Sequence, residues 1–120
     1  MGTFVFTLAR EPRTWKRTAS VNGRRVTPAS QEEHQQALGW AATARRPRRW
    51  PLDARYAVLI DVYLSRRSTS DLDNYAKNVL DALEGVAWSN DRQVDDLHVR
   101  RHLDSANPRT VVHIATREAL

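Results

Sequence analysis

The chain has 120 residues, 41% of them hydrophobic, which suits one domain (residues 1–120) that buries roughly 65% of its unfolded surface. No apolar run approaches the ~20 residues of a membrane span, no signal-peptide pattern opens the chain, and Phe6 stands where N-myristoylation needs Ser or Thr. With no cysteine there are no disulfides or thiolate metal sites, which fits a reducing cytoplasm, and the net charge is +5.

That charge is uneven. Residues 1–70 carry 13 Lys+Arg against 5 Asp+Glu, whereas residues 71–120 carry 6 against 9. Only Lys16 and Lys77 are lysines. An arginine surface favours phosphate oxygens, which its planar fork binds in pairs, so nucleic acid is the expected partner and a plain solvated surface the alternative.

In chain order, Thr3 to Ala9 alternates Phe4, Phe6 and Leu8 with Thr3, Val5 and Thr7, the period of a half-buried strand. A basic loop or loose hairpin follows over residues 10–25, with a Val21-Asn22-Gly23 turn signal. Its Arg13, Lys16, Arg17, Arg24 and Arg25, with Trp15 among them, are expected to track a DNA backbone and stack a base. Thr27-Pro28 opens a helix whose Ala37, Leu38, Trp40, Ala41 and Ala44 form the predicted core stripe, with Glu32 to Gln36, His34 included, facing water. Arg45-Arg46-Pro47-Arg48-Arg49 ends it.

Arg55 to Leu64 is apolar on both faces and reads as a central strand, within which Asp61 is expected to pair with an arginine. The basic loop Ser65 to Ser70 carries Arg66 and Arg67, two further expected DNA contacts. Leu72 to Glu84 is then a clean amphipathic helix: Leu72, Tyr75, Ala76, Val79, Leu80 and Leu83 line one side, Asp73, Asn74, Lys77, Asn78, Asp81 and Glu84 the other, and Gly85 closes it. After a turn at Trp88 to Asp91, Leu97 to Leu103 and Arg109 to Ala115 read as strands joined by a hairpin loop at 104–108. His98, His102 and His113 have no spacing that demands a metal. The expected fold is α+β, a mixed sheet with two helices packed on it in the order β-α-β-α-β-β.

The acidic residues of this second half are the unusual feature. Asp71 and Asp73 stand at the mouth of the second helix, Lys77 one turn on, and Asp91, Asp95 and Asp96 form a second acidic knot beyond it. Clustered carboxylates in a cationic protein suggest a metal site that meets a polyanion. Asp71 and Asp73 would diverge by about 200° on one helix, so they converge only if Asp71 precedes it. The plainer account makes Asp71 an N-cap and Asp73–Lys77 an exposed pair worth about 0.3–0.5 kcal/mol. Asp81, about 12 Å along the axis from Asp73, is expected to stand apart from the site.

The run from Asp71 to Val99 resembles the RusA-type crossover junction endodeoxyribonucleases, small Holliday-junction resolvases of bacteria and phages. Asp71-Leu72-Asp73-Asn74-Tyr75-Ala76-Lys77 matches that family's D-x-D-N-x-x-K opening, and Asn90-Asp91-Arg92-Gln93-Val94 its (D/N)-D-x-Q-V segment. The resemblance implies a homodimer acting on branched DNA, chiefly four-way junctions, in recombination and repair. It implies Mg²⁺ dependence, with Mn²⁺ as substitute, and a bacterial cytoplasm or a phage or prophage source. Asp71, Asp73 and Asp91 become the catalytic acids and metal ligands, with Lys77 the essential base. Two departures stand out: position 90 is Asn where Asp is common, and the lead-in Arg66-Arg67-Ser68-Thr69-Ser70 is less basic than usual.

The chemistry agrees, since Mg²⁺ assists phosphodiester hydrolysis with one or two carboxylates plus water and phosphate oxygens. Lys77 would either neutralise charge on the scissile phosphate or orient the attacking water. The expectation is a Mg²⁺-dependent nuclease resolving four-way junctions by paired nicks. The alternatives are a non-catalytic nucleic-acid-binding module, and a same-fold nuclease preferring flaps or forks.

Overall fold

Strand β4 (Arg55–Leu64) is the axis of the fold. Tyr56, Val58, Ile60, Val62 and Leu64 are buried on one of its faces, and Ala57, Leu59 and Tyr63 are half-buried on the other. In this computed structural model, residues 2–15, 19–21, 24–26 and 29–117 are described, the side chains of 19–21 and 24–26 excepted. The remaining elements are β1 (Thr3–Leu8), a hairpin of β2 (Ala19–Val21) and β3 (Arg24–Val26), α1 (Ala29–Arg45), α2 (Leu72–Leu83), β5 (Val94–Leu103) and β6 (Arg109–Arg117). The β-α-β-α-β-β order and the α+β class hold, with the small hairpin set inside the basic loop. Thr27, Pro28 and the Asn22-Gly23 turn lie outside the described residues.

The main sheet runs β1-β6-β4-β5. β6 is antiparallel to β1 and β4, while β5 is parallel to β4. The hairpin expected between β5 and β6 is therefore not formed. A strand apolar on both faces takes the centre, and β5 and β6 fall on either side of it. A parallel neighbour needs a crossover, which α2 provides. β5 also starts three residues earlier than expected, at Val94, with its register shifted opposite Tyr56 and Ala57.

Both helices cover the face that buries Phe4, Phe6, Val58, Ile60, Val112 and Ile114. On α2 the stripe of Tyr75, Ala76, Val79 and Leu83 is buried as expected, and Gly85 ends the helix at φ 87°, a conformation that favours glycine. On α1 the stripe is displaced. Gln31, His34, Ala37, Leu38 and Ala42 are buried, whereas Trp40 is 71% exposed and Ala44 is exposed. His34 and Asn78, both expected on polar faces, are interior. Asn78 accepts from Gln35 Nε2 (3.0 Å) and donates to the Arg13 carbonyl (3.2 Å), with its Nδ2 3.1 Å from His34 Nδ1. Burial, aided by the charges of Arg13 and Arg10, lowers the His34 pKa to about 4, so the ring is neutral at pH 7. The α1–α2 seam is thus polar and hydrogen-bonded, and hydrophobicity alone mis-phases the helix.

The opposite sheet face carries the expected partner of Asp61. Arg100, its cross-strand neighbour, donates from Nε (2.7 Å) and Nη2 (2.9 Å), and His102 Nε2 lies 2.6 Å from Asp61 Oδ1. His102 stacks on Tyr63 (centroids 4.4 Å apart), over which the Arg109 guanidinium lies at 3.6 Å. The Arg100 hydrogen bonds hold the Asp61 carboxyl below its ordinary range; burial opposes them and His102 assists. Because the folded pKa lies below the unfolded one, this stabilisation is complete above the unfolded value near pH ~4 and is lost as pH falls through the folded value. Asp61→Asn should cost about 1–3 kcal/mol at pH 7, discounted for the exposure of Arg100, and less near pH ~3. Urea denaturation of both proteins at the two pH values checks this; an equal gap at both would remove the carboxylate's charge from the account.

Candidate active site

The first acidic segment is held by its approach. Arg101 Nη1 donates to the Ser68 (3.1 Å) and Ser70 (2.7 Å) carbonyls, and Tyr75 Oη donates to Ser68 Oγ (3.2 Å). The loop so fixed delivers Asp71 just ahead of α2 in extended conformation (φ −69°, ψ 142°). Asp71 occupies the N-cap position, yet its side chain makes no cap hydrogen bond; among the described residues only its carbonyl is engaged, by Asn74 N–H at 3.2 Å. Capping does not explain this aspartate. Arg66 and Arg67 are exposed, and with Arg101 and His102 they border one depression of about 320 Å³.

Along α2, Asp73, Lys77 and Asp81 follow one another at four-residue spacing. They line a cavity of about 440 Å³ between the helix and edge strand β5, closed by Ala76, Leu80, Leu97 and Val99. Lys77 pairs with Asp81 at 3.8 Å, not with Asp73, and its ammonium lies 4.8 Å from the centroid of the Trp15 ring. The exposed Asp73–Lys77 pair is absent among the described salt bridges.

Asp91 lines the same cavity. It opens a 3₁₀ turn, Asp91–Gln93, that Asn90 caps: Asn90 Oδ1 accepts from Arg92 N–H (3.0 Å), and Gln93 Oε1 accepts from Asn90 N–H (2.8 Å). The Gln93 amide then donates to the Leu52 and Ala54 carbonyls, both at 2.9 Å, tying the turn to the lead-in of β4. Asp91 Oδ1 accepts from the buried Trp88 indole at 2.7 Å.

The expected acidic knot is dispersed. Asp95 is taken by Arg55 through its guanidinium, and Asp96 by His98 at 3.0 Å and Arg117 at 3.8 Å. Two other acids replace it. The Asp81 carboxyl is pushed up by burial and, after the opposing charge of Lys77, by Asp91; Glu84 is pushed up first by Asp91. Asp81 is therefore part of this cavity, contrary to expectation. Asp91 sits with it at the C-terminal end of α2, while Asp71 and Asp73 mark the other end, about 12 Å away along the axis. Asp71 itself is not among the lining residues. Among the described residues no three acidic or histidine side chains close on one point.

The basic arm reaches this site through its backbone. Trp15 N–H donates to the Asn74 carbonyl (2.8 Å), and the Arg13 carbonyl accepts from Asn78, which leaves the Arg13 side chain exposed. Lys16 and Arg17 lie outside the described residues, as do the side chains of Arg24 and Arg25 on β3.

The donor set is all carboxylate oxygen, which suits Mg²⁺ or Mn²⁺. Mg²⁺ keeps most of its waters and needs one or two carboxylates, so no closed protein cage is required. The Asp71 carboxylate, which makes no cap hydrogen bond among the described residues, and the mutual repulsion of Asp81, Glu84 and Asp91 both suit a cation beside these acids.

A family model described as Endodeoxyribonuclease RusA matches residues 9–115 of the chain. No curated protein matches it.

Asp71 and Asn90 both hold cap positions, and only Asn90 uses its side chain. Asn90→Ala should cost about 1 kcal/mol, and Asp71→Ala well under half of that. Urea melts of the two variants measure this; equal losses would restore capping as the role of Asp71.

Proposed function

The chain belongs to the RusA endodeoxyribonuclease family, and from that premise we propose that it is a Mg²⁺-dependent nuclease resolving four-way DNA junctions by paired nicks. The observation that carries the reading is that two distant motif segments line one cavity, Asp73 and Lys77 from one and Asp91 from the other. A non-catalytic binding module fits less well, because it relies on Asp71 as a cap and on an Asp73–Lys77 pair.

Asp71, Asp73 and Asp91 would hold the cation, of which Mg²⁺ needs only one or two carboxylates. A bound Mg²⁺ supplies an activated water and charge neutralisation at the departing 3′-oxygen. Lys77 lines the same cavity and contributes positive charge to the phosphate there. Asp81 holds Lys77 in place. Arg13, Lys16, Arg17, Arg24, Arg25, Arg66 and Arg67 contact flanking phosphates.

A junction needs two opposed cuts, so the acting species is a twofold homodimer. The sheet face away from the helices supports this, since Val5, Ala57, Leu59, His98 and His113 line an open trough there of about 330 Å³.

Junction, fork, flap and duplex substrates compared in Mg²⁺ test the assignment. The junction should be cut fastest, with symmetric nicks, and light scattering should give twice 13.8 kDa. Faster cutting of flaps or forks would overturn junction preference without touching the nuclease assignment. Asp71→Asn, Asp73→Asn and Asp91→Asn should each slow nicking by roughly 10²–10³-fold while metal-free junction affinity holds or rises. Asp81→Asn should slow it only about 10-fold, through Lys77. Well-folded Asn variants that cut at wild-type rate would end the metal reading.

For the arm, neutralising Arg13, Lys16, Arg17, Arg24 and Arg25 should flatten log K against log[salt] by roughly one unit for each phosphate no longer engaged. An unchanged slope would move the DNA surface to Arg45–Arg49.

A further inference from the structure

We propose that Trp88 is a positioning residue for Asp91, its indole N–H setting the rotation of the carboxylate that takes a cation. The inference rests on the metal reading above. Trp88 is 0% exposed and its ring packs on Tyr56, centroids 5.6 Å apart. Its carbonyl accepts from Gly85 N–H at 2.7 Å, so both backbone and ring are fixed. From this immobile base the indole donates to Asp91 Oδ1 at 2.7 Å, the length of a charge-assisted bond.

Asp91 needs such a donor. Its carboxylate faces Asp81 and Glu84, two like charges that would otherwise drive it out of the cavity. An arginine or lysine here would hold the carboxylate but also cancel the charge a cation needs. The indole offers one proton, carries no charge and cannot ligate a metal. It engages Oδ1 from the core side and so sets the rotation of the carboxylate. Hydrogen-bonded partners of a ligating carboxylate typically govern 10–100-fold in metal affinity.

A buried indole also needs an acceptor merely to satisfy its own N–H, so the experiment must separate orientation from stability. Trp88→Phe removes the donor while keeping an aromatic ring in the core. Should that variant be unstable, replacement of Trp88 by 3-benzothienylalanine keeps the ring shape and substitutes sulfur for N–H. The readouts are Mn²⁺ affinity of the DNA-free protein, by calorimetry or electron paramagnetic resonance, and the Mg²⁺ concentration giving half-maximal nicking. Asp91→Asn defines the part of Mn²⁺ binding that depends on Asp91.

That part should weaken about 10–100-fold in the N–H-deleted protein, and the Mg²⁺ requirement should rise equally. The nicking rate at saturating Mg²⁺ and the junction affinity in EDTA should stay within a few-fold of wild type. Unchanged Mn²⁺ affinity in the benzothienyl protein, with Asp91→Asn still abolishing it, would overturn the role of Trp88 and leave the metal reading intact. If Asp91→Asn itself removes no Mn²⁺ binding, the metal reading fails at Asp91 and this inference falls with it.

Discussion

A strand that is apolar on both faces cannot sit at a sheet edge, and most of this molecule follows from where β4 must go. Placed centrally, it takes β6 on one side and leaves the other for β5. The chain reaches β5 only after α2 has run back along the sheet, since a parallel neighbour cannot be reached by a tight turn. The buried stripe of Tyr75, Ala76, Val79 and Leu83 then fixes the helix's rotation. With that rotation set, Asp73, Lys77 and Asp81 point along the gap beside β5, and the turn after the helix carries Asp91 to the gap's far end. The acids are thus arranged by burial of their apolar neighbours and not by attraction to one another, which their charges forbid without a cation.

A second constraint is the polar seam beneath the basic arm. Asn78 is completely buried, and an unsatisfied amide there would cost about 1–3 kcal/mol. Its partners are Gln35 and His34 on α1 and the Arg13 carbonyl on the arm. Satisfying this one side chain therefore docks both α1 and the arm against α2. The docking in turn brings Trp15 over Lys77. Trp15, the residue expected to stack a base, thus also joins the arm to Lys77, the only lysine among the described residues. The arm's docking and the setting of Lys77 are joined through a few residues of backbone.

What the sequence disclosed depended on whether a residue's role was set locally or by a distant partner. β4 and α2 were legible because their periodicities are long and clean, and Gly85 marks its helix end by a conformation that is local. Asp61 was legible too, since a carboxylate in an apolar strand must find a cation. Trp40 and His34 were misread because α1 buries the polar Gln31 and His34 alongside Ala37, Leu38 and Ala42, so the largest apolar side chain does not mark the buried face. The β5–β6 hairpin was misread because a short polar loop signals a turn without saying which strand lies beside which. Asp81 could have been found from its i+4 spacing to Lys77. Nothing local announces that Asp91 returns to it, because that contact is made by the whole crossover.

The same distinction explains Asn90, where the family commonly has aspartate. Its side chain accepts from Arg92 N–H while Gln93 reaches back to its N–H, which makes position 90 a cap and Gln93 the tie to β4. Asn and Asp cap almost equally well, so the exchange costs the turn little. Asp91, Asp81 and Glu84 already crowd this end of the cavity, and Glu84 is driven up in pKa by its neighbour's charge. A further carboxylate at position 90 would add to that repulsion, whereas an amide keeps the cap without the charge. The departure therefore falls on the scaffold of the turn, and Asp91 remains the residue through which that turn meets the cavity.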